Sequence, residues 1–294
     1  SRLLARGTPR PRSRPSPADI FATAAEITLL WFLYGYSISF SDSNMAAGRY
    51  NLNSFFGTLA HGGMRHMGDG RLVGTVPANV FAMFQLTFAI ITVGLISGAY
   101  AERLKFSAML LFNALWFTSV YCPLAHMVWG GAGAFIHSLG ALDFAGGLVV
   151  HISSGFAGLL VAVALGKRKG YPRIPKAPHS LVITSIGASM LWVGWFGFNA
   201  GSALAADGAA ALAMLVTMAA AAAASLSWMT TEWLTFERPS TLGLVSGAIA
   251  GLVAITPASG SVNFYGALCI GGLAGPVSFV ASTWLKEKID MYDD

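Results

Sequence analysis

Charge is scarce in this chain. Asp, Glu, Lys and Arg make up only 11% of the 294 residues, where a soluble domain carries about 25%, so there is too little charge to cover a water-facing surface. Cysteine is nearly absent. Cys122 and Cys269 fall inside apolar segments with no CxxC spacing and no nearby histidine pair, which argues against a zinc site or a disulfide framework and predicts two buried small hydrophobes. Paired carboxylates, an HExxH string and a nucleophile motif are also missing, so the sequence offers nothing an enzyme would need. The first eighteen residues, SRLLARGTPRPRSRPSPA, are basic and Pro-rich without an apolar stretch. They are not a secretory signal, and they read as a disordered basic segment. The formal charge of +5 does not indicate nucleic acid, because the basic residues sit between apolar runs rather than among exposed aromatics.

What the chain does have is hydrophobicity, 55% of residues, arranged in long runs. A bilayer core of about 30 Å takes roughly 20 apolar residues per helix. Eight such runs lie near residues 19–40, 77–100, 106–128, 143–166, 179–199, 207–232, 240–257 and 262–285. They predict an all-α, polytopic transmembrane bundle over 19–288, followed by a short end at 289–294. Eight crossings put both termini on one side. That side collects fifteen basic residues, in the N-terminal arginines and around 103–105, 167–176, 238 and 286–288; the other side has only Arg49, Arg65 and Arg71. By the positive-inside rule both termini are expected in the cytoplasm. Gly, Ala and Ser recur at three- and four-residue spacings in GLVVHISSGFAGLL, AAAAAS and SGAIAGLVAITPASG, a pattern that lets helix backbones approach closely in lipid.

A polar group inside a span is costly and therefore worth explaining. His151 lies about half a span into the fourth run. It is either a core histidine bonded to a neighbouring helix or a neutral imidazole that exchanges hydrogen bonds with a small polar solute. Asp143, in GALDFAGG, can cap helix N–H groups or lower the energy of a nearby cation. Trp129 ends the third run and reads either as an interfacial belt tryptophan or as a ring face for a cation. Phe88 and Phe198, taken singly, are explained by packing. His61, His66 and His137 fall in predicted loops and match no metal spacing; His126 flanks the loop that holds His137. Glu26 and Glu232 call for a hydrogen-bond partner or an interfacial position, and Asp42, Ser43 and Asn44 for a helix-ending turn.

Several strings together carry more than any one residue. ITVGLISGAYAERLKFSAMLLF, PLAHMVWGG, GALDFAGGLVVHI, GWFGFNAGSA and SGAIAGLVAITPASG resemble, in order and spacing, the ammonium transporter family shared by bacteria, plants, fungi and Rhesus proteins. The likeness runs from about residue 28 to 288. It implies ammonium/ammonia as substrate, no cofactor, a plasma-membrane homotrimer with one pore per subunit, and a regulatory protein on the cytoplasmic face. Carried over residue by residue, Trp129, Ser202 and Phe88 resemble an outer recruitment site, Phe88 and Phe198 an aromatic gate, and His151 the first of two pore histidines. Asp143 is similar to the family's structural and electrostatic acid, while Leu191, Trp195 and Thr256 resemble pore-lining positions. A hydroxyl acceptor such as Ser202 uses the N–H donors that potassium lacks, and an apolar pore favours ammonia over the intact cation.

The resembling family uses about eleven spans and a second pore histidine in a late FGxHG-type segment. This chain ends at WLKEKIDMYDD and starts near the family's second span, so it is expected to be a fragment or truncated product. The alternative reading is a non-conducting sensor or subunit that keeps only the outer site.

Overall fold

The structure, a computed structural model, describes residues 17–41, 45–68, 70–101, 103–168, 171 and 180–289. The basic stretch 1–16, the expected turn at Asp42, Ser43 and Asn44, and residues 290–294 lie outside them. Among the described residues eight helices are long and apolar enough to cross a bilayer: α1 (Ala18–Phe40), α2 (Ala78–Tyr100), α3 (Phe106–Trp129), α4 (Gly147–Leu165), α5 (Leu181–Gly201), α6 (Gly208–Phe236), α7 (Thr241–Ala258) and α8 (Phe264–Trp284). The expected spans agree with these to within about four residues. The helix that follows the basic stretch begins at Pro17, two residues earlier than composition suggested. The chain is an integral, multi-pass all-α membrane protein.

Two differences in boundary have local causes. The fourth run was expected to turn helical at 143, but α4 begins at Gly147 because Asp143 stays outside the helix and caps it. At the far end of α6, Glu237 takes a left-handed conformation with φ 62° and ends the helix at Phe236. Connections alternate between two ends of the bundle. One end carries the long segment 41–77, with a two-stranded ribbon of β1 (Leu72–Val73) and β2 (Val76–Pro77), and the segment 130–146; we call it the wide-loop end.

The first four helices pack through large side chains. Trp31, Phe117 and Tyr121 are fully buried, and the Trp31 indole N–H donates across to the Ala82 carbonyl at 3.1 Å. Both Trp31–Gly35 and Phe117–Tyr121 are wide π-type turns. Gly35 permits their approach, since a Cβ there would strike the Phe117 ring. Because lipid is as apolar as these side chains, the gain comes from dispersion and fit rather than from escape from water.

Helices α6, α7 and α8 pack instead through missing side chains. A Cβ on Gly251 of α7 or Gly271 of α8 would run into the Ala220 carbonyl, and one on Gly275 would meet that of Ala224. The alanine face of α6 is thus held between two glycine stripes spaced four residues apart, as close backbone packing in lipid requires. Cys122 is buried as expected. Cys269 is not: it is exposed on α8, where a weakly polar thiol can face apolar surroundings at little cost.

Candidate functional site

Phe88, Trp129, Asp143, His151, Trp195, Phe198, Ser202 and Thr256 gather where α1–α4 meet α5–α8. Backbone and side-chain contacts tie the two groups together there. The Phe144 N–H donates to the Pro257 carbonyl at 3.0 Å, the Thr75 hydroxyl to the Leu204 carbonyl at 2.6 Å, and Gly147 lies so close to Pro257 that a Cβ would not fit.

Asp143 organises the start of α4. Its Oδ1 accepts the N–H groups of Gly146 (2.8 Å) and Gly147 (2.6 Å), and its Oδ2 those of Leu148 (2.9 Å) and Val149 (3.0 Å). A helix start leaves four N–H groups without intrahelical partners; here one carboxylate serves four donors, in a favourable position for the helix dipole. Gly146 makes the geometry possible with φ 103°, in the left-handed region. The next turn is wide, with the N–H groups of both Val150 and His151 reaching back to the Gly146 carbonyl at 2.8 and 3.1 Å. Such π-type turns re-aim side chains and recur at functional positions. The Asp143 main chain also fixes Trp129, whose indole N–H donates to the Asp143 carbonyl at 2.9 Å.

Near the wide-loop end lies a cavity of about 250 Å³ whose walls include Phe84, Gln85 and Phe88 of α2, Trp129 of α3, Phe144, and Ser202 just after α5. Three of the expected residues, Phe88, Trp129 and Ser202, therefore share one cavity. Phe88 stands edge-on to Trp129, with ring centroids 5.7 Å apart and planes at 90°. The Ser202 hydroxyl donates to the Phe198 carbonyl at 2.8 Å, so its oxygen lone pairs remain able to accept.

Phe88 and Phe198 stack with centroids 4.2 Å apart and planes at 18°. Phe198 also stacks with His151, the ring centroids 5.9 Å apart at 28°, and His151 in turn stacks on Trp195 at 5.3 Å and 26°. Both ring nitrogens of His151 are buried, and neither has a hydrogen-bond partner among the described residues. The sequence left open a core histidine bonded to a neighbouring helix; the structure shows no such bond.

Two further expected positions are not among the residues that line this cavity. Thr256, expected as pore-lining, is fully buried; its hydroxyl accepts the Trp195 indole N–H at 2.9 Å and donates to the Leu252 carbonyl. Leu191 is one turn before Trp195 on α5 and 44% exposed; it joins none of the ring contacts above. The cavity also contains residues that the sequence reading passed over. Phe84 lies one helical turn before Phe88 and meets it at 4.8 Å, edge to face, so the i, i+4 rule could have found it. Gln85 is a polar residue inside an apolar run and should have been weighed as His151 was.

Three of the other polar residues have structural partners, whereas one carboxylate oxygen of Glu26 is buried without one among the described residues. His126 is fully buried, with Nδ1 3.1 Å from the Ser39 carbonyl and Nε2 2.7 Å from the Asn53 carbonyl. It pins the end of α1 and the segment that follows it to α3. His61 pairs with Arg71 at 3.0 Å. The Glu232 carboxylate accepts from the Ser240 N–H and hydroxyl at 3.0 and 2.8 Å, holding the start of α7. Among the described residues no cluster of His, Cys, Asp and Glu could hold a metal ion.

Comparison with known proteins gives a consistent result. The model of the Ammonium Transporter Family matches residues 18–294. The ammonium transporter of Bacillus subtilis is 48% identical over 93% of this chain and 65% of its own length. Ammonium transporter Amt1 of Archaeoglobus fulgidus is 47% identical over 89% of this chain and 63% of its own. Among solved structures, Mep2 of Candida albicans superposes with a TM-score of 0.83 at 38% identity, over 93% of this chain and 59% of that one. The chain thus spans less than two thirds of each of these relatives.

Proposed function

The chain belongs to the ammonium transporter family, and on that premise we propose that it serves to move ammonium across the membrane as ammonia, taking up the cation in the cavity between α2, α3 and α5. The observation that carries this reading is a chain of contacts: an aromatic cavity with a hydroxyl, a phenylalanine pair that borders it, then a buried imidazole with no partner among the described residues.

Each group suits one stage. The ring faces of Trp129 and Phe88 attract a cation, and the Ser202 oxygen accepts an N–H that potassium does not have. Passing the Phe88–Phe198 stack would strip the cation of its remaining water, which is costly for a charge and cheap for a small neutral amine. Ammonium therefore gives its proton back to water on the wide-loop side and passes as ammonia. Beyond the stack, the neutral imidazole of His151 offers one donor and one acceptor to ammonia, replacing hydrogen bonds lost from water. Trp195, held by Thr256, keeps that ring in place. Asp143 contributes through α4 and Trp129, since its oxygens are already engaged by backbone N–H groups. The proposal places the wide-loop end outside the cell, in the plasma membrane, with both termini cytoplasmic, in line with the fifteen-to-three distribution of basic residues. It also takes the protein to be a homotrimer.

The test is uptake. Expression of the natural gene product carrying this chain should restore growth of ammonium-uptake-deficient cells on low ammonium, and Trp129→Ala or His151→Ala should reduce it. Growth and uptake unaffected by both substitutions would remove the site assignment. Saturable binding of ammonium without flux in proteoliposomes would point instead to a sensor that keeps only the cavity.

A further inference from the structure

Gln85 belongs to the same face of α2 as Phe81 and Phe88 and lines the cavity with Phe88, Trp129 and Ser202. It is only 8% exposed. Its amide oxygen is buried and has no hydrogen-bond partner among the described residues. An unmet buried acceptor costs about 1–3 kcal/mol, and a polar side chain in a span points to function. Other buried polar atoms also lack partners, among them the Tyr121 hydroxyl, the Ser39 hydroxyl and the Asn199 amide oxygen. None of those residues lines this cavity; of the unpartnered groups among the described residues, Gln85 alone does.

We propose that Gln85 is a specificity-determining residue of the cavity, whose amide oxygen accepts an N–H from the ammonium ion that Ser202 also holds. The inference rests on the function proposed above. Two acceptors, one from α2 and one following α5, then read the number of N–H donors on the cation while the Trp129 and Phe88 rings read its charge. Ammonium has four donors, methylammonium three and potassium none, so two acceptors discriminate against potassium more strongly than the Ser202 hydroxyl could alone. A cation held between two acceptors is also oriented before it meets the phenylalanine pair, whereas a ring face alone leaves it free to turn.

The experiment compares initial uptake rates of ammonium, with potassium as competitor, in proteoliposomes containing the full natural protein and its Gln85→Leu and Gln85→Glu variants. Loss of one charge-assisted hydrogen bond in Gln85→Leu should raise the half-saturating ammonium concentration about tenfold. The maximal rate should change much less, because the bond belongs to the waiting cation, and potassium should compete more effectively. Gln85→Glu keeps an oxygen acceptor and should hold the half-saturating concentration at or below that of the natural protein. An unchanged half-saturating concentration in Gln85→Leu overturns the proposal. If Gln85→Leu does not reach the bilayer, Gln85→Glu decides, and a rise in its half-saturating concentration overturns the proposal. Absence of saturable ammonium uptake by the natural protein would reject the proposed function itself, before any variant is compared, and this inference with it.

Discussion

Asp143 and His151 stand eight residues apart around the start of α4, and they treat hydrogen bonding in opposite ways. The Asp143 carboxylate, buried beside the cavity, accepts four backbone N–H groups and has nothing left over. The His151 ring, deeper in the same helix, has two buried nitrogens and no partner among the described residues. A carboxylate so engaged is committed to the backbone, whereas an imidazole so bare is costly to keep unless something else bonds to it. On the proposed function, the difference separates a residue that builds the site from one that the site is built around.

Four substitutions sharpen or break that contrast, taken from the largest expected loss of stability to the smallest. Asp143→Ala leaves the first turns of α4 without their acceptor and should destabilise the protein by about 4 kcal/mol, since each buried donor left unpaired costs on the order of 1–3 kcal/mol and some will find water. It should be seen as a large fall in the unfolding midpoint in detergent, with uptake lost in parallel. Trp129→Phe keeps a ring in the cavity but gives up the bond to the Asp143 carbonyl. About 1 kcal/mol should go with it, and the half-saturating ammonium concentration should rise because the cation loses the stronger ring face. Trp195→Phe removes the bond to Thr256 and leaves that hydroxyl unmet as an acceptor; a loss of about 1 kcal/mol is expected, with a lower maximal uptake rate as the His151 ring loses its support. His151→Phe should cost close to nothing, or stabilise slightly, because a ring of similar shape replaces two unpaired polar atoms. Its effect should appear in uptake alone.

The same contrast explains what could be read from sequence. Eight spans were legible because a bilayer demands a fixed length of apolar helix and because charge alternates across it. Asp143 could be recognised as a capping candidate from GALDFAGG, but four bonds to one carboxylate depend on the left-handed Gly146 and the wide turn after it, which no local pattern announces. The depth of His151 was evident from its place in the run. Its neighbours were not, because Trp195 and Phe198 arrive from α5, more than forty residues later. Resemblance to a family supplied Phe88, Trp129 and Ser202 together; spacing along the chain could not have joined them. Thr256 was marked by the same resemblance, but its bond to the Trp195 indole is visible only in the structure. Gln85 carries no ionisable group to mark it in the run, although an amide in a span is also expensive.

The glycine stripes of α7 and α8 were legible as small-residue spacing, yet not what they press against. Both meet α6, at Ala220 and Ala224, so that packing should be among the least tolerant of added volume. The aromatic packing of α1–α4 has no such repeat and could not be paired from sequence.

One comparison tests the central claim most directly: the unfolding midpoint and the initial ammonium uptake rate of His151→Phe, measured on the same preparation of the full natural protein. The account predicts a midpoint equal to or above that of the unsubstituted protein together with markedly altered uptake. A lowered midpoint with uptake unchanged would show that His151 holds the fold together and that the solute does not depend on it.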